Sequence, residues 1–419
     1  MAAAVDYNRY DPFAPEMQQN PFPWYAALRE GAPVWKHPAS GIVFVSRHAH
    51  VSQILADTTT YSSRFASQPT AGSSDVNRQI EDIMREGFPR VSTMLTEDPP
   101  LQTRYRKTVG KALSTRRILA LESKMRELTD EILGTWPARG RVDVMSTLSI
   151  PLPIRVIGHF LCMQPRVFQH VKRWSDSSVA GLGAIITDAQ RIQAARDVVE
   201  MQKYWQTEIE ARIANPNDDL ISALTQAEFE DETGAERRLN PPEMISIIQQ
   251  LMVAGNETTT KVINETFKML LENAGWFERM KRDPGVVGAV VEEALRLATP
   301  NQGMFRFVTR DAELDGVKIP KGGTIWLMFG SANRDARVFP DPDRFDPERP
   351  NIKESVAFGR GAHFCIGAPL ARLELRVLFE QVAQRLDAFA LPAGYQLTYE
   401  PSYILRGLAG LELDVVMRA

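Results

Sequence analysis

Phe358-Gly359-Arg360-Gly361-Ala362-His363-Phe364-Cys365-Ile366-Gly367, running on into Ala368-Pro369-Leu370-Ala371-Arg372, is the stretch on which the reading of this chain turns. Gly359, Gly361 and Gly367 fall within nine residues, so the backbone here is a tight loop that tolerates positive φ rather than a helix. The following PLARLELRVLFEQVAQRL reads as a helix, with Pro369 suited to its first turn. Cys365 therefore sits just ahead of a helix N-terminus, where unpaired N–H groups and the helix dipole favour the thiolate. A thiolate ligates metal or attacks electrophiles. An arbitrary cysteine is more often buried and inert. Cys162, in an apolar helix-like segment without such a loop, is read as a core residue.

Around this loop the composition narrows the choices. The chain has 419 residues, two cysteines and six histidines, with 49 Lys plus Arg against 52 Asp plus Glu. Two cysteines make no disulfide framework, and neither C-x-x-C nor H-E-x-x-H is present to hold zinc. The near-neutral balance argues against a protein that binds nucleic acid by neutralising phosphates. No run reaches the roughly 18 apolar residues of a membrane helix. Asp6, Arg9 and Asp11 stand where a signal peptide needs its apolar stretch. These features predict a soluble, cytoplasmic, monomeric protein with no nucleic acid and no membrane.

Helical spacing predicts helices over Ser114–Leu133, Pro165–Ser178 and Asp188–Ile213. GIVFVSR at Gly41–Arg47 reads as a strand, and the charged insert Glu230–Asn240 as a small loop or hairpin. Residues 1–35 read as an extended arm over the surface, and Ala66–Arg90 as a long, partly irregular connection of the kind that forms lids. The longest periodic run goes from Asn240 to about Asn273, with Asn240 as cap, Pro241 at the first helical position and Glu243 three after the cap, and closes at Gly275. Midway along it Ala254-Gly255-Asn256-Glu257-Thr258-Thr259-Thr260 puts three β-branched threonines beside a glycine, which is poor helix interior. Such a violation is where a functional reason is sought, although threonine hydroxyls bonding back to the helix carbonyls would also account for it.

F-G-x-G-x-H-x-C-x-G resembles the haem-binding signature of the cytochrome P-450 monooxygenases at all six fixed positions. The resemblance implies a mainly α fold with small β-sheets (α+β) in a single domain spanning residues 1–419, with haem b buried between the long helix and the 358–367 loop. Cys365 would be the iron ligand, its electron donation favouring O–O cleavage, with Phe358, Gly359, His363 and Gly367 around the cofactor. Ala254-Gly255-Asn256-Glu257-Thr258 resembles the oxygen-activation element: Thr258 would hold water or the oxygen under reduction, Glu257 would feed protons, and Gly255 would leave room for dioxygen. Glu293-Ala-Leu-Arg296 resembles the E-x-x-R pair, which by itself is commonly a surface pair. Arg349, in the segment Asn333–Arg349, would be its third member. Arg306 and His363 match partners of the haem propionates. Asp98-Pro-Pro-Leu-Gln-Thr-Arg-Tyr-Arg106 matches a further one at Arg106, while Gln102 departs from the usual histidine.

The same resemblance places the substrate pocket at Ile248, Leu251, Met252, Ala254, Gly255, Asn301, Gln302, Met304 and Ile404, with contributions from Ala66–Leu95 and Val179–Ile186. These stretches favour a neutral hydrophobic substrate such as a terpenoid or steroid, with Asn301 and Gln302 available to a hydroxyl or keto group. Electrons would come from a ferredoxin or flavin protein docking on a basic face near Arg104, Arg106, Lys107, Lys111, Arg360 and Arg372. A peroxide-using haem-thiolate enzyme and a non-catalytic haem sensor are the alternatives; peroxide-using relatives tend to lose the acid–alcohol pair that Glu257 and Thr258 keep.

Overall fold

The run that opens at Asn240 forms one helix, Pro241–Glu272, of 32 residues, about 48 Å at the standard rise. Its start is fixed by a single carboxylate. Glu243 accepts from the Asn240 backbone N–H at 2.8 Å and returns its own N–H to Asn240 Oδ1 at 2.9 Å, a reciprocal capping box. The Tyr105 hydroxyl donates to the same carboxylate at 2.6 Å, and Arg237 grips both its oxygens at 2.7 and 2.8 Å. The far end differs from expectation: the helix stops at Glu272, and Gly275 lies inside a second helix, Ala274–Arg282.

In this computed structural model residues 5–64, 74–181, 186–231 and 233–418 are described. Parts of the expected Ala66–Arg90 connection and of the Val179–Ile186 segment lie outside them; within the first, Ser74–Met84 is a helix. The chain divides into one unit of Met1–Ser62, Glu122–Leu152 and Thr258–Ala419, and another of Ser63–Leu121 and Pro153–Glu257.

The first unit carries a five-stranded sheet ordered Val34–Lys36, Val43–Val45, Thr324–Met328, Gly303–Val308, Tyr61–Ser62. Val43–Val45 runs parallel to Thr324–Met328, and the other pairs are antiparallel. Alternation sorts the side chains. Val43, Val45, Ile325 and Leu327 join one core with Val51 and Ile54. Phe44, Trp326 and Met328 face the opposite way, onto Tyr10, Tyr25 and Leu28. The expected extended arm is therefore a correction: Phe22–Gly31 is a helix whose Tyr25 and Leu28 cover the aromatic face of the sheet. A second sheet, ordered Leu386–Ala390, Glu412–Met417, Arg139–Asp143, ties the C-terminal strand into this unit.

In the second unit, Phe168–Val179 lies against the first part of the long helix through three polar rungs. Gln249 Nε2 donates to Ser178 Oγ at 3.1 Å, Asn256 Nδ2 to Ser175 Oγ at 2.7 Å, and Lys172 Nζ to Glu257 Oε1 at 3.1 Å. The descending partner numbers make the pair antiparallel. Glu228–Glu230 and Glu236–Arg238 form the hairpin allowed for in the charged insert. The Ser114–Leu133 stretch breaks at Leu121 into Thr115–Ala120 and Glu122–Gly134.

Cys162 is also a correction. It follows the Pro151–Phe160 helix with φ of 52°, and it is exposed rather than in the core. A left-handed helix end suits glycine, whereas a Cβ there costs about 1–2 kcal/mol. Cys162→Gly should therefore raise stability by about 0.5–1 kcal/mol after the entropy of the unfolded chain is counted. A lower denaturation midpoint than that of the unmodified protein would contradict the strain.

Candidate active site

The cysteine loop is closed by its own backbone. Cys365 N–H donates to the Phe358 carbonyl at 2.9 Å, and the Cys365 carbonyl accepts from Ala368 N–H at 3.3 Å, where the helix Ala368–Arg385 begins. Gly359 and Gly361 both have φ of 67°. At Gly361 a side chain would also collide, because a Cβ would stand 2.7 Å from the Leu55 carbonyl oxygen. The loop is thus pressed against the Leu55 backbone in a way only glycine permits. Arg372, one turn into the helix, lays its guanidinium 4.6 Å over the Phe358 ring.

Below the loop lies a cluster with no access to water. Glu293 and Arg296, on the helix Val287–Ala298, are both 0% exposed and meet in a two-pronged pair at 2.7 Å. Arg349 approaches Glu293 Oε1 at 3.4 Å. The guanidinium groups spend their remaining donors on backbone: Arg296 on the carbonyls of Asn333 and Pro342, Arg349 on those of Asp341 and Arg344. Asn333 carries the order onward, accepting the Val356 N–H at 2.7 Å just before Phe358. The three residues singled out by motif are thus brought together, fully buried rather than on the surface.

Arg306 is buried on the strand Gly303–Val308, and His363 ends the short turn Gly361–His363; both are in the same unit as Cys365. Gln102 is buried and Arg106 half-buried, one turn apart on Leu101–Ala112 of the other unit. Glu374, also on the helix behind the cysteine, is a group the motifs did not flag. Burial alone lifts its carboxyl to about 8, so it stays protonated at neutral pH. The expected basic face is partly neutralised: Arg360 pairs with Glu354, Arg372 with Glu292, and Arg104 with Glu230. Lys107 and Lys111 stand exposed.

On the long helix the exposures settle which side chains face outward. Ala254 is exposed, and Gln250, Leu251, Gly255 and Thr258 are half-buried. Ile248 and Met252 are 0% exposed. At Gly255 a Cβ would stand 2.9 Å from Ile157 Cδ1, so the glycine also lets the Pro151–Phe160 helix come close. Gln302 is buried. Its amide donates to the Thr299 carbonyl at 2.7 Å, and it packs where a Cβ on Gly330 would stand 2.2 Å away, so it staples a helix end. Asn301 donates to Met304 Sδ at 3.2 Å, and Ile404 packs on the aromatic core. Thr260 bonds to the Ser149 carbonyl at 2.8 Å, and Asn256 bonds back along the helix to the Met252 carbonyl at 2.8 Å.

Glu257 is largely buried and does not stand alone. Lys172 bridges it to Asp176, and Asp176 also hydrogen-bonds Glu257. Side-chain exposure falls along this series, 50% at Asp176, 35% at Lys172 and 10% at Glu257. Burial pulls the Lys172 ammonium down, but the two carboxylates outweigh it and leave it raised. Although half its surface is open, packing on the other side lifts the Asp176 carboxyl to about 6, against the pull of Lys172. The sequence hid this array, because Lys172 and Asp176 at i and i+4 read as an ordinary surface pair.

Two expectations follow from these charges. Glu293→Gln leaves the guanidinium groups without their counter-charge and should cost about 3–5 kcal/mol; a denaturation midpoint near that of the unmodified protein would contradict it. At Asp176 the folded carboxyl keeps its proton to about pH 6, whereas the unfolded one loses it near 3.8. The native state binds more protons in that window, so the site's contribution to stability falls as pH rises. Asp176→Asn lacks this titration and should gain on the unmodified protein from about pH 4 to 6. A constant difference in midpoint across that range would refute the shift.

The Cytochrome P450 family model matches residues 285–404. The chain is 31% identical over 417 residues to a vitamin D(3) 25-hydroxylase of Pseudonocardia autotrophica, covering 98% of each protein. It is 34% identical over 365 residues to an erythromycin C-12 hydroxylase of Saccharopolyspora erythraea, covering 86% of each. Among solved structures, cytochrome P450 CYP109Q5 from Chondromyces apiculatus superposes with a TM-score of 0.85 at 32% identity, over 99% of this chain and 100% of that one. CYP109E1 from Bacillus megaterium in complex with testosterone gives 0.82 at 31%, over 96% and 99%. The helical architecture with small sheets is the α+β fold of these proteins. A likeness at this identity along nearly the full length makes the chain a member of the cytochrome P450 superfamily, of the bacterial type, a monooxygenase whose cofactor is haem b.

Proposed function

We propose that the protein inserts one oxygen atom from dioxygen into a neutral, hydrophobic, polycyclic or macrocyclic molecule, with electrons delivered by a ferredoxin-type protein. The observation that carries this reading is the glycine-bounded Cys365 loop at a helix start, on a chain that retains consecutive Glu257 and Thr258 on the long helix. The substrate class is supported by relatives that hydroxylate vitamin D(3) and erythromycin and by a structural neighbour in complex with testosterone. For the partner, the support is the resemblance together with exposed Lys107 and Lys111.

The residues present fit the cofactor. The loop offers a sulfur at a helix N-terminus, a Cβ at Gly361 would collide with backbone, and Arg306 supplies a buried cation where a carboxylate partner is wanted. Cys365 would ligate the iron, and Arg306, His363 and, on motif alone, Arg106 and Gln102 would hold the propionates. Bound haem supplies dioxygen binding and the oxidising chemistry. This chain's own residues do the rest. The Glu293 cluster would keep the loop in place, the Thr258 hydroxyl would offer a hydrogen bond beside the cofactor, and Glu257 would hand on protons received through Lys172 and Asp176.

Thr258→Ala should leave the carbon-monoxide spectrum of the reduced protein intact while product formed per reducing equivalent falls by about 10-fold or more and hydrogen peroxide accumulates. Unchanged coupling would remove the proton-delivery role. Loss of the thiolate-type spectrum in Cys365→Ala, but not in Cys162→Ala, identifies the ligand.

A further inference from the structure

Ser246, Gln250, Ala254 and Thr258 recur every four residues along the long helix and so form one stripe on its surface. The first two are strapped by the segment ahead of Asp98. Val91 N–H donates to Ser246 Oγ at 3.2 Å, and Gln250 Nε2 donates to Thr93 Oγ1 at 2.7 Å. Thr93 is itself 0% exposed, so the amide is held against a fixed partner. The other half of that amide is left over: Gln250 Oε1 is buried and has no hydrogen-bond partner among the described residues. A stranded acceptor of this kind costs about 1–3 kcal/mol. Next on the stripe is exposed Ala254, which adds no bulk, and two residues past Thr93 the apolar side chain of Leu95 is 44% exposed.

We propose that Gln250, oriented by Thr93, reads a hydroxyl group at one end of the substrate, its amide oxygen accepting the hydroxyl proton. This rests on the reading of Thr258 as the residue beside which oxidation occurs. Eight residues of helix separate the two, about 12 Å. The ligand class is therefore a hydrophobic alcohol of roughly that length, oxidised at the end away from its hydroxyl. Because a threonine hydroxyl both donates and accepts, the amide orientation is what selects between an alcohol and a ketone, and the present bond to Thr93 selects the alcohol.

The test is calorimetric titration of the haem-loaded protein with three ligands: a sterol-type alcohol, its ketone and its deoxy parent. The unmodified protein should bind the alcohol about 10-fold or more tightly than the deoxy parent, and more tightly than the ketone. Gln250→Leu and the closer isostere Gln250→Met should erase that preference while keeping the deoxy affinity within about 3-fold, and Thr93→Val should weaken it. Equal binding of alcohol and deoxy parent by the unmodified protein, or an undiminished preference in both Gln250 variants, overturns the proposal and leaves the proposed function standing. A preference for the ketone also overturns it, since the amide nitrogen would then be the reader. Failure of all three ligands to bind overturns the proposed substrate class and this inference with it.

Discussion

A carboxylate shut away from water organises the half of the chain that holds the cysteine. Glu293 is tolerable at zero exposure only because two guanidinium groups meet it, and they in turn have too many donors to be buried unless backbone carbonyls absorb them. Those carbonyls, at Asn333, Pro340, Pro342 and Arg344, belong to a segment with little regular structure, which the charges therefore hold in shape. Asn333 then passes the constraint to Val356 and so to the loop beginning at Phe358. The loop's own backbone bonds and its contact with Leu55 are thus joined by a chain of charge and hydrogen bonding that starts some residues away. Replacing such a cluster with apolar residues could preserve stability and still lose this linkage, because apolar packing does not direct carbonyls.

The acid on the long helix is treated differently. Glu257 is neither sealed off nor open, and its partners form a graded series toward solvent. Burial is the main reason the Asp176 carboxyl holds its proton to about pH 6, and the neighbouring Glu257 carboxylate adds to it against the pull of Lys172. A structural ion pair gains by being matched; this one is mismatched by one charge. The array therefore keeps a proton within reach of Glu257 up to about pH 6.

How much of this was legible in the sequence differed from residue to residue for physical reasons. The Cys365 loop was readable because glycine spacing and a helix start are local properties, and Asn240 with Glu243 announced a cap that is formed as read. The closing of Glu293 by Arg349 across more than fifty residues was reachable only through motif. Exposure along the long helix was not readable: Ile248 and Met252 are shut away and Leu251 is half-buried, and nothing in the residue types separates the three. The Phe22–Gly31 helix was missed because Pro21 and Pro23, which mark its start, look like the punctuation of an extended arm. The close approach at Gly255 was not readable, because the neighbour it admits, Ile157, lies almost a hundred residues earlier.

The rungs joining Phe168–Val179 to the long helix have a thermodynamic corollary. Gln249–Ser178, Asn256–Ser175 and Glu257–Lys172 are bonds that water can replace one for one. The rungs themselves bury little apolar surface, so their own share of the helix pairing carries a small heat-capacity change and a shallow dependence on denaturant. The buried Val171 and Trp174 on the same helix, like the aromatic core under the sheet, follow the steep curve of apolar burial. Salt separates the two contributions, because it screens the ion-pair rung and leaves apolar packing unaffected.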